Sequence, residues 1–291
     1  GGKDSQVVLD LVTRVIPPDD IIVIFSDTTM EASFTYENVE ETIEDYQRRY
    51  PELRFYLAKP PRLAIEFWRE FGPPSRIHRW CCTVIKTSPF VRILSEIAGS
   101  ANKAEIVVFD GVRSEESSQR SSYRRLSLGE KHILQVNAEV IRDWNASEVF
   151  LYVYYRNLRL NKGYRYGLLR VGCSVCPFAS DWSEFILYNL QRRLIEEYLD
   201  VLKTYVNELG IKDSRKVQEY ISQGQWKKRA GGEAVDSNGR HLEVVLKSGE
   251  LIGVIKNPSE NFLEWVKTVG DVFYKFSEGN GIYGEIRIKD S

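Results

Sequence analysis

Residues 1–16 read GGKDSQVVLDLVTRVI, a glycine turn that leads directly into an apolar pattern of helical spacing. Such a turn leaves backbone N–H groups pointing at whatever docks there, and the dipole of the following helix favours an anion. Lys3 adds a positive charge, Asp4 is a candidate Mg²⁺ ligand, and Ser5 offers a hydroxyl to a phosphate oxygen. A terminus that merely contains glycines is the alternative interpretation. We predict a phosphate-binding loop formed by Gly1, Gly2, Lys3, Asp4 and Ser5.

The composition is that of a globular protein without a strong charge bias. The chain has 291 residues, enough for one large domain with an appendage or for two medium domains. Lys and Arg number 40 against 41 Asp and Glu, so no net charge draws the chain to nucleic acid or to a membrane. No apolar stretch approaches the roughly 18 residues that span a bilayer, and no signal peptide is recognisable. We expect a cytoplasmic protein with no membrane partner.

Candidate strands alternate with candidate helices along the first half of the chain. The strand candidates are residues 21–29, 54–58, 105–112 and 133–140, and helices are expected at 6–16, 37–50 and 63–71, the first ended by Pro17-Pro18. This alternation predicts an α/β fold with a mainly parallel sheet and helices on both of its faces. Because such a sheet would be expected to need a strand before the glycine turn, we expect the numbered chain to lack its first strand.

The second half has a different pattern. Residues 182–222 are helical in character, and residues 225–240 have the composition of a polar linker. Beyond them the sequence predicts a hairpin turning at Ser248-Gly249, a helix at 262–269 and a strand at 284–289. We therefore divide the chain into a domain at 1–180, a helical extension at 181–235 and a small α+β module at 236–291.

Three motifs resemble one known superfamily. GGKDS resembles the PP-loop of the adenine nucleotide α-hydrolases, and FSDTT (25–29) resembles the F-x-D-T segment of phosphoadenosine phosphosulfate (PAPS) reductases. GVRSEESSQR (111–120) is similar to their G-x-R-x-x-E-S-x-x-R. The resemblance implies a Rossmann-like PP-loop fold, with Lys3, Asp4 and Arg113 as catalytic residues. The further nucleotide-binding residues that it implies are Asp27, Thr28, Gly111, Arg113, Glu116, Ser117 and Arg120.

A fourth segment, residues 161–167, is similar to the N-x-x-Y-x-x-G of the same family, with Asn161, Tyr164 and Gly167 at its positions. For most of the aromatic residues near it we favour core packing.

All four cysteines fall into two clusters. Cys81 and Cys82 are adjacent, and Cys173 and Cys176 form a C-x-x-C. Four thiolates can bind Zn²⁺ or a [4Fe–4S] cluster, and a cluster accepts adjacent thiolates more easily than one small ion does. RWCCTVIKTSPF (79–90) resembles the C-C-x-x-x-K-x-x-P element of iron–sulfur adenylyl-sulfate reductases. We predict that all four cysteines are ligands of a [4Fe–4S] cluster, with zinc as the first alternative and a disulfide or buried thiols after it.

Three functions remain open. An intact loop favours a PP-loop ATP pyrophosphatase in sulfur transfer, with ATP as substrate and Mg²⁺ as cofactor, because reductases of this family tend to carry degenerate loops. The alternative is a PAPS or adenylyl-sulfate reductase, which needs a nucleophilic cysteine besides the four predicted ligands. A non-catalytic subunit that binds nucleotide and cluster is the third.

Partners other than an adenine nucleotide are less defined. Residues 119–125, 156–170 and 225–229 mix cations with aromatic residues, a composition that suits either a nucleic-acid substrate or a single nucleotide. The sulfur or electron donor and the formation of a homo-oligomer both stay open.

Overall fold

A computed structural model describes residues 1–98, 106–128, 135–228, 243–247, 250–256, 271–279 and 281–289. The chain divides into two compact units, one of residues 1–74 and 79–202 and the other of residues 75–78 and 203–291. The domain boundaries drawn at 180 and 235 stay predictions.

The first unit alternates helices and strands in the predicted order. Its helices are α1 (Lys3–Thr13), α2 (Ser33–Arg49), α3 (Ala64–Phe71), α4 (Ser88–Ala98), α5 (Ser118–Ser121), α6 (Ala146–Tyr155) and α7 (Asp181–Leu190), and α8 (Arg192–Glu208) crosses the boundary. Its strands are β1 (Ile22–Ser26), β2 (Arg54–Ala58), β3 (Ile106–Asp110), β4 (Leu126–Leu128) and β5 (Gln135–Glu139).

The strand pairing confirms the α/β class. Strand β1 runs parallel to β2, with Ile22 opposite Arg54, and β3 runs parallel to β5, with Ile106 opposite Gln135. The short strand β4 pairs antiparallel with β5. We did not predict β4, because its exposed Leu126 and Leu128 give it no buried face by which a pattern could be recognised.

The main core fixes the helix that carries the glycine loop. Val7, Val8 and Val12 of α1 are buried against Val149 and Val153 of α6. Burying such a side chain contributes roughly 1.5–3 kcal/mol, so α1 is firmly anchored. Helix α1 ends earlier than predicted, with its C-cap at residue 14, and leaves residue 15 mostly exposed.

A second core cluster lies near the cysteine segments. Phe34 at the start of α2 packs with Leu168, with Leu187 of α7 and with Ile195 of α8. This cluster fixes the loop that leads into Cys173.

Two helix ends are set by local features. Asn145 caps α6, since its side-chain oxygen accepts a hydrogen bond from the Glu148 amide at 2.9 Å. The continuous helix expected after residue 182 is two helices, because Gln191 leaves the helical conformation with φ −139° and ψ 44°.

The second unit contains α9 (Ser214–Ser222) and an antiparallel sheet. Its strands are β6 (Glu243–Lys247), β7 (Glu250–Lys256), β8 (Asp271–Gly279) and β9 (Gly281–Lys289), in the order β6-β7-β9-β8. The pairing of Lys247 with Glu250 confirms the predicted hairpin. Strand β8 was not predicted, and the helix expected at 262–269 lies outside the described residues.

Within the described residues, no helix combines the length and the apolar character needed to cross a bilayer.

Candidate functional site

The glycine loop leads into α1 through an extended residue. Gly2 has φ −100° and ψ 170°, and the Ser5 hydroxyl donates to the Gly2 carbonyl at 2.8 Å. The side chain of Asn161 donates to the Gly1 carbonyl at 3.0 Å, and the Lys3 amide donates to the Tyr164 hydroxyl at 3.0 Å. Two residues about 160 positions away in the sequence therefore hold the loop in place.

Tyr164 also sets the room around the loop. A Cβ at Gly2 would lie 3.1 Å from the Tyr164 hydroxyl, closer than most such contacts. The ring of Tyr164 lies beneath the Lys3 ammonium, 5.6 Å from Nζ to the ring centroid, and the ring of Phe150 is 5.8 Å away. Burial raises the pKa of Tyr164 to about 12, so its hydroxyl stays protonated near neutral pH. The sequence had favoured core packing for most of these aromatic residues, whereas Tyr164 supports the loop directly.

The three predicted catalytic residues form one ion-paired group, which we call the loop network: Lys3, Asp4 and Arg113. Lys3 Nζ is 2.8 Å from Asp4 Oδ2, and Arg113 Nε donates to Asp4 Oδ1 at 2.7 Å. The side chains of Lys3 and Arg113 are each 4% exposed, and that of Asp4 is 21% exposed. Both oxygens of Asp4 are thus engaged by cations, in a setting where burial strengthens the pairing.

Gly111 lets the two halves of the loop network approach. A Cβ at this position would lie 2.9 Å from the Asp4 Cβ and 3.1 Å from the Asp4 carbonyl carbon. Because the second contact is with backbone, a side chain here would push α1 away from the end of β3. The structure therefore brings together Gly1, Gly2, Lys3, Asp4, Ser5, Gly111 and Arg113.

The rest of the Gly111 segment forms its own network. Glu116 accepts a hydrogen bond from the Arg113 amide at 3.2 Å and is also paired with Arg120. The Ser117 hydroxyl accepts from the Arg120 amide at 3.2 Å. Arg113 continues the network by pairing with Glu115. In this structure Glu116, Ser117 and Arg120 therefore order the segment that presents Arg113.

Asp27 lies at the carboxyl end of β1, where ligands of parallel sheets collect. It is buried and accepts hydrogen bonds from the Thr29 amide and the Tyr36 hydroxyl, each at 2.7 Å. Thr29 has a positive φ of 59°, which is uncommon for a β-branched residue and turns the chain sharply after the strand. The Asp27 side chain is therefore held rigidly.

Thr28 points toward the cysteines. Its hydroxyl donates to Glu31 Oε1 at 2.9 Å and lies 3.5 Å from Cys173 Sγ. Burial raises the pKa of Glu31, although the Thr28 hydrogen bond and the charge of Lys86 oppose that rise. Sequence reasoning missed Glu31. The only pattern that could have indicated it is an acidic residue three positions after Thr28.

The adjacent cysteines lie where the backbone forms a π-helical turn over Cys82–Thr87. Such turns are rare and are often found at functional sites. The hydrogen bond that the Cys81 thiol donates to Cys82 raises the pKa of Cys81 and lowers that of Cys82 to about 5, with Arg79 also favouring the Cys82 thiolate. Arg79 Nη2 lies 3.9 Å from Cys82 Sγ.

The C-x-x-C segment is fixed to the loop that follows β1. The Ser174 amide donates to the Met30 carbonyl at 2.7 Å. Burial raises the pKa of Cys173 to about 12 and also raises that of Cys176. Cys82, Cys173 and Cys176 each raise the pKa of Cys81, so the two cysteine segments influence one another electrostatically. We call Cys81, Cys82, Cys173 and Cys176 the cysteine quartet.

The donor set of the quartet has a definite chemistry. Four thiolates are the ligand set of a [4Fe–4S] cluster, and Arg79 and Lys86 would offset part of the negative charge of such a centre. Among the described residues, which include the quartet, no group of three or more His, Cys, Asp or Glu side chains is arranged to hold a metal ion. The predicted Mg²⁺ would thus have Asp4 as protein ligand and take its other oxygens from phosphates and water, as Mg²⁺ commonly does.

The family match to known proteins includes the segments that form the loop network and the cysteine quartet. The family model of the phosphoadenosine phosphosulfate reductase domain matches residues 1–179. An uncharacterized protein of Methanocaldococcus jannaschii is 29% identical over 233 residues, which are 78% of this chain and 44% of that protein. The chain therefore spans less than half the length of this relative.

An adenosine 5'-phosphosulfate reductase of Anoxybacillus flavithermus is 28% identical over 181 residues, 60% of this chain and 69% of that enzyme. Among solved structures, the phosphate complex of PAPS reductase from Candida auris is similar, with a TM-score of 0.44 and 20% identity. That similarity covers 59% of this chain and 77% of the other.

Proposed function

Because the chain belongs to the phosphoadenosine phosphosulfate reductase domain family, a nucleotide-binding family of sulfur metabolism, we propose that it cleaves ATP at the α-phosphate. The cleavage would adenylylate an acceptor oxygen, and a sulfide-level sulfur nucleophile from a donor would then displace AMP, which leaves with that oxygen. The observation that carries this proposal is the loop network, a buried lysine–aspartate–arginine group at the start of α1 beside an intact glycine loop.

Pyrophosphate is the natural ligand of that arrangement. The first amides of α1 and the Lys3 ammonium would receive the β- and γ-phosphates, where the helix dipole favours negative charge. Lys3 would then exchange part of its pairing with Asp4 for pairing with phosphate. Asp4 would hold Mg²⁺, which when bound neutralises charge on the phosphates.

Chemistry would follow at the α-phosphorus. The acceptor oxygen forms a bond to that phosphorus, the bond to the bridging oxygen breaks, and pyrophosphate leaves with its negative charge. Arg113 is already fixed by Asp4 and Glu115, so its guanidinium can stabilise developing charge without rearranging.

The cysteine quartet would hold a [4Fe–4S] cluster beside this site. When bound, a cluster with four thiolate ligands supplies structural and electrostatic stabilisation, because no iron is left open to carry the transferred sulfur. Thr28 would connect the two sites, since it follows Asp27 and contacts Cys173. Zinc is the alternative occupant, and metal analysis distinguishes the two.

A second candidate is sulfonucleotide reduction, favoured by the relatives that are named adenosine 5'-phosphosulfate reductases. That reaction needs a thiolate to attack the sulfate sulfur. The four cysteines of this chain all lie in the quartet, so a nucleophile supplied by residues 1–291 would have to be one of the four.

Product analysis tests the proposal. Anaerobically purified protein is incubated in turn with ATP, adenylyl sulfate and PAPS, and pyrophosphate and sulfite are measured. We expect pyrophosphate from ATP, reduced about 10²- to 10³-fold by Lys3→Ala or Asp4→Ala, because each removes charge stabilisation at the leaving group. Arg192→Ala, which removes an exposed arginine of α8, is the matched control and should leave the rate unchanged.

Three results would overturn the proposal. ATP turnover that is insensitive to both loop substitutions would show that the loop network is not the site of cleavage. Sulfite release from a sulfonucleotide with a thiol donor, without pyrophosphate release from ATP, would replace the proposal with the reductase. ATP binding without either product would favour a non-catalytic subunit.

A further inference from the structure

The three basic stretches noted in the sequence differ in how their cations are paired or buried. In the first, Arg120 pairs with Glu116 and Arg125 pairs with Asp143. In the third, the side chain of Lys227 belongs to the second unit and is buried. The middle stretch is different, because residues 149–180 contain no Asp or Glu at all.

Some cations of the middle stretch are paired and some are not. Its paired members are Arg156 with Asp10, Arg159 with Glu41 and Asp45, and Lys162 with Glu37. Arg165 and Arg170 are exposed, and neither has a carboxylate within 4.0 Å in the part of the chain that the structure describes. Two positive charges therefore face solvent close to the candidate site.

Large aromatic side chains lie beside these arginines. Trp182 is 53% exposed and Phe185 is 60% exposed, and their rings stack with centroids 5.8 Å apart at an interplanar angle of 28°. Trp182 Nε1 donates to the Gly167 carbonyl at 3.1 Å, which attaches the start of α7 to the loop of Arg165 and Arg170. Asp181 and Glu184, in the first turn of α7, lie at the positive end of the helix dipole, which favours their negative charge.

The same surface borders the cysteine quartet. Phe178 follows Cys176 by two residues, is 45% exposed, and has the guanidinium of Arg79 4.7 Å from its ring centroid. Arg170 precedes Cys173 by three residues, so the arginine and the C-x-x-C belong to one short segment. Exposed aromatic faces and unpaired arginines thus meet at the edge of the candidate site.

We propose that Arg165, Arg170, Phe178, Trp182 and Phe185 bind an unpaired, single-stranded segment of nucleic acid. Aromatic faces stack bases of any sequence, and arginines contact the phosphates between them. An acidic protein would satisfy the two arginines but would not need flat, exposed rings between them. Only the identification of this segment as the sulfur acceptor rests on the proposed function; the binding itself does not.

Fluorescence anisotropy of a labelled 12-nucleotide oligomer, as RNA and as DNA, tests the binding. We expect Phe185→Ala and Trp182→Ala each to weaken binding roughly 5- to 150-fold, since stacking of one base is worth about 1–3 kcal/mol. Phe185→Ala leaves the Trp182–Gly167 hydrogen bond intact, so it remains informative if Trp182→Ala disturbs the loop.

The matched aromatic control is the double variant Tyr154→Ala/Tyr155→Ala on α6. These tyrosines are 69% and 84% exposed and belong to the end of α6, outside the proposed set of residues. The control should bind the oligomer as the unmodified protein does. Equal weakening in the control and in Phe185→Ala would overturn the proposal, as would absence of binding at low salt.

Salt dependence tests the arginines separately. Arg165→Ala/Arg170→Ala should reduce the slope of log affinity against log salt concentration by about 1.4, because each phosphate contact on a single strand contributes about 0.7. Arg48→Ala/Arg92→Ala, which removes exposed arginines from α2 and α4, should leave the slope unchanged. An unchanged slope in the first variant contradicts the assignment.

These measurements need no ATP, so the two proposals fail separately. Oligomer binding that depends on Phe185, without pyrophosphate release, would support the nucleic-acid surface and overturn only the proposed ATP cleavage. Pyrophosphate release without oligomer binding would support ATP cleavage and overturn the nucleic-acid surface. Tight binding of an acidic polypeptide instead of the oligomer would identify a protein partner.

Discussion

The loop network and the cysteine quartet are neighbouring parts of one unit that satisfy their charges in different ways. In the loop network opposite charges are already paired, with Asp4 between Lys3 and Arg113 at 2.7–2.8 Å. In the quartet similar groups face one another, and the pKa values of Cys81, Cys173 and Cys176 are raised, the first chiefly by hydrogen bonding to Cys82 and the others by burial.

The difference shows how each part depends on its ligand. A paired network is organised before a nucleotide arrives, so little of the binding energy is lost in ordering it. Thiols with raised pKa values, as in Cys81, Cys173 and Cys176, become stable as thiolates only when a cation joins them. We therefore expect the loop network to tolerate the loss of its ligand and the quartet to require its metal.

The largest effect should come from removing one ligand of the quartet. Cys176→Ser should lower metal affinity by at least about 100-fold, because the loss of a ligand exceeds the roughly 10- to 100-fold loss that follows removal of a supporting residue. Iron, sulfide and zinc measured in anaerobically purified protein check this. Ser174→Ala lies between the two cysteines, and its buried hydroxyl has no partner among the described residues, so it should retain the metal.

Full metal content in Cys176→Ser would show that the protein does not need this ligand of the quartet to bind metal. Stoichiometric zinc without iron in the unmodified protein would instead keep the quartet and replace its occupant.

A smaller effect is expected in the loop network from Arg113→Lys. The variant keeps the charge but loses the planar fork that joins Asp4 to Glu115, so pyrophosphate release should fall roughly 10- to 100-fold in kcat/KM. Arg48→Lys, at an exposed pair with Asp45, is the matched control and should be neutral. An Arg113→Lys variant as active as the control would mean that only its charge matters, not its geometry.

The smallest expected effect is on stability, and it compares Gly111, beside the loop network, with Gly172, beside the quartet. Gly111→Ala should destabilise the protein by about 1–3 kcal/mol, since the new Cβ would lie 2.9 Å from the Asp4 Cβ and would force the backbone to move. Gly172→Ala should stay within about 0.5 kcal/mol, because its Cβ would have no atom within 4 Å. Urea unfolding of both variants checks the pair, and equal stabilities would show that α1 can shift away from β3 without loss.

Much of the candidate site could be predicted from local patterns. The glycine turn before α1, the polar ends of β1 and β3 and the two cysteine pairs are all contiguous in sequence, and each was recognisable by residue type and spacing. The parallel pairing followed from the alternation of strands and helices. Two strands without a clear local pattern were missed. They are β4, whose leucines are exposed, and β8, which pairs antiparallel with β9.

By itself, then, the sequence determined which residues have the chemistry for a phosphate loop and for a thiolate centre. The tertiary structure decided which of them meet. Asp4 and Arg113 are 109 positions apart, Tyr164 supports Lys3 across 161 positions, and Thr28 reaches Cys173 across 145. The physical reason is that hydrophobic spacing and helix capping act over a few residues, whereas a buried ion pair or hydrogen bond depends on the packing of elements that the chain brings together only when it folds.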